Sequence, residues 1–191
     1  MAQIPLTERC WTRTEYDRLG ELGVFDGEPL ELIGGQLVVA EPKSTYHAVS
    51  VGMVADVLRR TLPPGWIVRA QDPIALDDDS EPEPDIVVVP GTHTDDLADH
   101  PRRPALVVEV AHSSLAFDRG REGSLYARGG VPDYWIVNLV DRELEIYRDP
   151  VSDATAAYGW RYRSVVHVTP AGDAALLVVP AVRLAVADLL P

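Results

Sequence analysis

The chain has 191 residues, which favours one domain and is enough to bury a core without a metal or disulfide staple. With 46% hydrophobic and 25% charged residues it is neither disordered nor collagen-like. Its 30 acidic residues against 17 basic ones leave a net charge of -13. That excludes a protein that coats nucleic acid through bulk positive charge, but it leaves room for a local basic groove or a metal among carboxylates.

Cys10 is the one cysteine, so there is no intrachain disulfide and no cysteine-based zinc site, as suits a reducing cytosol. The opening segment MAQIPLTERCW lacks the apolar region of a secretory signal, and no apolar run approaches the ~18 residues of a membrane span. A cytoplasmic protein without membrane contact is expected. Lys43 is the sole lysine; every other basic residue is arginine.

Thr12 and Glu15 have the spacing of a capping box, with Trp11 and Tyr16 as a hydrophobic staple. They predict a helix over 13–22 that stops at Gly23. Two apolar runs, 30–33 and 36–39, flank Gly34-Gly35 and read as a β-hairpin. Val51, Val54 and Leu58, joined by Met53 and Val57, recur at helical spacing over 46–62, and Pro63-Pro64-Gly65 ends that helix. Strands are expected at 66–69, 74–76 and 86–89. Between the last two, the acidic stretch 77–83 reads as a solvated connector, since it lacks the spacing and glycine of a calcium loop.

A charged, proline-flanked loop covers 90–104, and the β-branched run 106–110 reads as a buried strand interrupted by Glu109. A helix over 118–128 ends at Gly129-Gly130. Strands follow at 134–137 and 143–147, then a loop over 149–159, strands at 160–168 and 176–179, and a closing helical turn at 186–190. There is no internal repeat. The expectation is one mixed α/β domain over 1–191, with helices flanking a sheet and a hairpin near its start.

Three carboxylates stand out by position. Asp85 follows a proline at the mouth of a strand, Glu109 lies inside Leu-Val-Val-Glu-Val, and Glu31 lies inside Leu-Glu-Leu-Ile. A buried ionised carboxylate is costly unless paired, protonated or bound to a metal. A solvent-facing alternation would host Glu109 at no cost, and for that residue alone both readings stand. Two strand carboxylates 24 residues apart and joined by a loop make the stronger case. They fit adjacent strands converging on one hard, oxygen-liganded cation such as Mg²⁺ or Mn²⁺.

The ordered set Leu30-Glu31-Leu32-Ile33-Gly34-Gly35-Gln36-Leu37, His47 at a helix start, Pro84-Asp85-Ile86, Val107-Val108-Glu109-Val110, Asp118-Arg119-Gly120 and the segment 125–137 resembles the Uma2 family. These are bacterial restriction endonucleases by description, within the PD-(D/E)XK nuclease superfamily. Each piece is weak alone; Gly-Val-Pro-Asp-Tyr-Trp-Ile-Val and the order of the whole set, over about 12–190, are specific. The resemblance implies a restriction-endonuclease-like fold, a mixed sheet flanked by helices. It implies Mg²⁺-dependent (or Mn²⁺-dependent) hydrolysis of DNA phosphodiester bonds, with Asp85, Glu109 and the Val110 carbonyl as metal ligands. Glu31 would support the metal through water or hold a second ion. It also implies a homodimer, with the strand 160–168 and the hairpin as candidate contacts.

One position departs from the pattern. In the wider superfamily a lysine stands two residues after the second acid, which here is Ala111. In Uma2 it comes instead four residues before the Tyr of Leu-Tyr-Ala, which here is Glu122. Helical spacing puts Asp118 and Arg121 on the face of Glu122, so Glu122 or Arg121 would occupy the lysine's place, with Arg119 as a further guanidinium. The alternative is a catalytically inactive nuclease-like module that binds nucleic acid or a protein partner.

The remaining candidates are weighed against plainer roles. His47 fits a place near the substrate or beside Glu31, and equally a capping or surface histidine; His100 and His112 read as loop residues. Tyr134 and Trp135 read as core. Arg59, Arg60, Arg102 and Arg103 form two basic pairs, for which scattered surface charge is the default. No Gly-x-Ser-x-Gly elbow, Walker A sequence or Gly-x-Gly-x-x-Gly loop occurs, so neither serine-hydrolase chemistry nor a nucleotide cofactor is expected.

Overall fold

The computed structural model describes residues 9–39 and 43–191. Helix α1 (Arg13–Glu21) starts on the expected capping box: the Thr12 hydroxyl accepts from the Glu15 N–H, and the Glu15 carboxylate accepts from the Thr12 N–H. The expected staple is replaced by other contacts. Tyr16 stacks on Phe25 at 5.5 Å, and the Arg9 guanidinium covers Trp11. Strands β1 (Leu30–Ile33) and β2 (Gln36–Val39) form the predicted hairpin, with Gly34 and Gly35 both at positive φ. Helix α2 (Thr45–Thr61) follows, capped by the Ser44 hydroxyl.

Strands β3 (Trp66–Ala70), β4 (Ile86–Pro90), β5 (Leu106–Ala111), β6 (Asp133–Asn138), β7 (Glu143–Ser152) and β8 (Trp160–Val168) form one six-stranded sheet in that order. Only β5 and β6 pair in parallel. A parallel pair needs a crossover connection, and the helical segment between them supplies it. That segment runs from α3 (Leu115–Phe117) through a π-helical turn (Asp118–Glu122) into α4 (Gly123–Arg128).

Alternation along the strands sorts the core into two layers. Leu106, Val108 and Val110 of β5 face α2 with Val51, Val54 and Leu58. Val107 and Ala111 face α4 with Leu125 and Tyr126, and Tyr134 of β6 joins that layer. Every residue of β5 and β6 is buried. Tyr134 and Trp135 are core residues, with satisfied polar tips: the Tyr134 hydroxyl donates to the Asp118 carbonyl at 3.1 Å, and the Trp135 indole N–H to Asp133 at 2.8 Å. The architecture is the expected mixed α/β sheet flanked by helices. No helix among the described residues is long and apolar enough to cross a membrane.

Several local expectations need correction. Residues 74–76 form no strand. The Ile74, Ala75 and Leu76 N–H groups donate to the carbonyls of Pro82, Pro101 and Ser80, three separate partners, so no ladder forms. The acidic stretch 77–83 is a folded strap rather than a solvated connector. The Gly35 N–H donates to Asp79 O, the Glu81 N–H to Leu32 O, and Arg128 bonds Asp77, Asp79 and Ser80. Residues 176–179 turn, while β9 (Asp173–Ala175) pairs with β10 (Arg183–Ala185) and a 3₁₀ turn (Val186–Leu189) closes the chain. Strand β7 runs on through the Asp149-Pro150 pair. Asp149 takes a positive φ of 67°, which aspartate tolerates, and Pro150 needs no donor towards β6, whose pairing ends at Arg148.

The strap buries Glu81 beside Arg13, at 3.5 Å. Burial, followed by the repulsion of Asp17, pushes the Glu81 carboxyl up to about 7 in spite of Arg13. A raised carboxyl binds its proton more tightly in the folded state. Its contribution is therefore complete below the ordinary glutamate value and is lost as pH rises towards about 7. Between these limits the wild type should lose melting temperature with rising pH, and Glu81→Gln should flatten that slope. Parallel slopes for the two proteins would contradict the assignment.

Candidate active site

The antiparallel register pairs Ile86 with Val108, and one step further sets Asp85 opposite Glu109. Directly opposed residues point to the same face, so the two carboxyls meet where β4 begins and β5 ends. The backbone locks them together. The Asp85 N–H donates to Glu109 Oε2 at 3.1 Å, and the Val110 N–H donates to Asp85 Oδ2 at 3.0 Å. The Tyr126 hydroxyl, from α4, donates to Glu109 Oε1 at 2.7 Å. The exposure of Asp85 is 5% and that of Glu109 is 7%, so neither is a solvent-facing strand residue.

The start of α2 closes the other side. The Ser44 cap holds the first turn, which brings His47 Nε2 to 2.9 Å from Asp85 Oδ2. Lys43, just before the cap, brings Nζ to 3.2 Å from Asp85 Oδ1. Burial works against an ionised Asp85, but the bonds from His47 and the Val110 N–H and the charge of Lys43 outweigh it. Its carboxyl is held below the usual range. Among the described residues, Glu109 has no ion-pair partner. Burial, then the charges of Glu122, Asp85 and Asp118, push it well above the usual range.

Three further acids surround this pair. Glu31 on β1 accepts the Glu83 N–H at 3.1 Å; its carboxyl is raised by burial and by Glu83 and Asp85, against the pull of Lys43. Glu122 ends the π-helical turn and is raised well above the usual range by burial, then by Asp118, Glu31 and Asp85. Asp118, which takes the Ser114 hydroxyl at 2.8 Å, is raised by burial and by Asp85. One end of the sheet thus gathers five acids, four of them driven towards the neutral form by burial and by one another's charge.

Asp85, Glu109, Glu31 and Glu122 therefore converge. Arg121 does not join them. Its guanidinium donates to Gln36 Oε1 and the Tyr158 hydroxyl, both at 3.1 Å. Arg119 is turned away too, forked onto the buried Glu145 of β7 at 2.6 and 3.0 Å. The π-helical turn accounts for this. Its wider coil keeps residues four apart together, as Asp118 and Glu122 are, and carries the residue three along off that face. Arg102 is spent on Asp99, His112 meets Tyr46 edge-on, and His100 lies 3.8 Å from Glu81.

Among the described residues, three ligand atoms mutually within 4.8 Å occur at Glu143, Glu145 and His167 rather than at Asp85. Both Glu145 oxygens are already taken by Arg119, Tyr147 and Asn138, so that trio is an ion-pair network. Among the described residues, no three carboxyls of the acidic site come that close together.

Lys43 and Tyr126 are the residues that sequence reasoning left out of the site. Both had a legible signal: Lys43 is the only lysine and stands one helical turn before His47, and Tyr126 lies four residues after Glu122.

The Uma2 family, described as a putative restriction endonuclease, matches residues 13–187, and the chain belongs to it. Among solved structures the chain resembles a putative nuclease of the DUF820 group from Anabaena variabilis, with a TM-score of 0.68 and 14% identity over 93% of this chain and 96% of that one. At such identity the likeness speaks for the fold. No curated protein matches.

Proposed function

We propose that this Uma2-family chain is a divalent-metal-dependent endonuclease that hydrolyses DNA phosphodiester bonds. The observation that carries the reading is the locked Asp85–Glu109 pair, two buried carboxyls held together where β4 begins, amid acids raised by burial and mutual repulsion. The donor set fits Mg²⁺ or Mn²⁺. It consists of hard oxygens, and Glu109 keeps lone pairs beyond the bonds it accepts from the Asp85 N–H and Tyr126. Asp85 and Glu109 would hold the ion. The Val110 carbonyl would join them, because its N–H already points to the Asp85 side and a strand residue presents both groups to one edge. When bound, the ion supplies Lewis acidity towards the phosphoryl oxygens.

The protein's own part is positioning. His47 and the Val110 N–H fix Asp85, and Tyr126 fixes Glu109. Glu31, beside them, orients water. Glu122, on the π-helical turn, stands where the family pattern has its lysine. Cutting both strands calls for two such sites, so the reading includes a homodimer, with the long free edge of β8 and its exposed Trp160, Val165 and Val166 as the contact surface. Light scattering of the purified chain checks that part independently.

Incubation of supercoiled plasmid with the chain should give nicked or linear product in millimolar Mg²⁺ or Mn²⁺ and none with a chelator. The same ions should raise the melting temperature by mass action, equivalent to about 2.7 kcal/mol at a hundredfold excess over Kd. Absence of both cleavage and stabilisation would reject the metal site. Stabilisation without cleavage of plasmid, linear duplex or single strands would leave a nuclease-like binding module.

A further inference from the structure

We infer that Lys43 is a catalytic residue of this site, the group that contacts the scissile phosphate and neutralises the charge developing on it; the inference rests on the nuclease reading above. The chain contains a single lysine, and the fold brings it to the acidic cluster, 3.2 Å from Asp85 Oδ1. Neither position where the sequence pattern seeks a lysine has one. Ala111 is apolar and buried, and Glu122 is itself an acid.

The arginines of the neighbouring segments are engaged elsewhere: Arg119 on Glu145, Arg121 on Gln36 and Tyr158, Arg128 on the 77–80 strap. Among the described residues, Asp85 has ion-pair contacts with Lys43 and His47 alone. The two divide its oxygens: His47 holds Oδ2 from inside the fold, and Lys43 meets Oδ1 from the solvent side.

Exposure supports this placement. The Lys43 side chain is 35% exposed and that of Asp85 is 7%, so the ammonium stands between the carboxyls and bulk water, where a phosphate would arrive. A lysine ammonium is a compact charge with three donors on a flexible stem. It can therefore pass from Asp85 Oδ1 to a phosphoryl oxygen without movement of α2. Since Lys43 flanks the Ser44 cap instead of forming it, replacing it leaves the helix start intact.

The test uses the full chain with supercoiled plasmid in Mn²⁺, and, separately, binding of a short labelled duplex in Ca²⁺ across a salt series. Lys43→Ala should lower cleavage by roughly 10²- to 10³-fold in a chain that still folds, with a melting temperature lowered only by the lost ion pair to Asp85. Adding Glu122→Lys to Lys43→Ala should return at least a tenth of the lost rate, because it restores an ammonium from the facing element. The slope of log affinity against log salt should fall by about one phosphate contact in Lys43→Ala. Lys43→Ala that cuts like wild type with an unchanged salt slope overturns the inference and leaves the nuclease reading standing. A wild type that does not cut, but whose salt slope drops in Lys43→Ala, supports the phosphate contact and rejects hydrolysis.

Discussion

Glu109→Gln should abolish metal-dependent plasmid cleavage, by roughly 10²- to 10³-fold, while raising the melting temperature of the metal-free protein near neutral pH. The two effects have one cause. Glu109 is buried beside Asp85, Asp118 and Glu122 with no ion-pair partner among the described residues, and its carboxyl is held well above the usual range, burial being the largest contribution. The folded state binds that proton more tightly than the unfolded chain does. Stability from this group is therefore full below the ordinary glutamate value and declines as pH rises towards the raised one. Glutamine removes the decline. Its amide oxygen can still accept the Asp85 N–H, and its amide N–H can donate to the Tyr126 oxygen once that hydroxyl rotates. It cannot supply an anionic oxygen to a cation. Melting curves at acidic and neutral pH, with and without Mn²⁺, check the stability half; plasmid conversion checks the other. A variant that cuts normally would remove Glu109 from the metal site.

The parts of the fold that were legible are those decided by local chemistry. A reciprocal Thr12–Glu15 cap, a Gly-Gly turn between two apolar runs, and the helical spacing of Val51, Val54 and Leu58 each carry their geometry in a few adjacent residues. Misread segments are those whose partners are distant in sequence. Residues 74–76 are as apolar as a strand but find their backbone acceptors one at a time in three places. The strap 77–83 looks solvated because its acids are many; Arg128, on α4, folds it down. Asp149-Pro150 looks like a chain break, and it is tolerated in β7 because β6 has already ended there.

The site divides in the same way. Asp85 and Glu109 could be paired from sequence because both lie at strand boundaries joined by one loop, so register alone brings them together. The source of positive charge was legible only as a sole lysine, with no sign of which carboxyl it would meet. Lys43 is 42 residues before Asp85, just ahead of a helix that packs against the opposite face of the sheet, and only the tertiary placement of α2 delivers it. Arg121 was misplaced for a different reason. Ideal helical spacing sets it beside Glu122, and a π-helical turn, which no residue pattern announces, rotates it onto Gln36 and Tyr158.

Arg119→Ala is expected to destabilise the chain by about 3 kcal/mol at neutral pH, and to lower cleavage with it. Glu145 is fully buried on β7, and Arg119 is its cation, gripping both oxygens in a fork. Burial opposes the ionised carboxyl, yet the bonds from Arg119, Tyr147 and Asn138 outweigh it and keep it below the usual range. Removing the guanidinium leaves a buried carboxylate with two neutral donors. The figure is taken from the low end for a broken buried pair because Arg119 is itself 39% exposed. A depressed carboxyl contributes stability above the ordinary glutamate value and loses it as pH falls. The deficit of Arg119→Ala should therefore be largest near neutrality and shrink towards about pH 4, where Glu145 can take a proton instead. Lysine at this position should recover part of the loss, since it keeps the charge but not the fork. The coupling to cleavage runs through the π-helical turn. Arg119 ties that turn to β7, and the same turn carries Asp118 and Glu122 into the acidic cluster. An Arg119→Ala protein with an unchanged melting temperature and a large loss of cleavage would contradict this account, and would mean that the guanidinium leaves Glu145 to meet the phosphate.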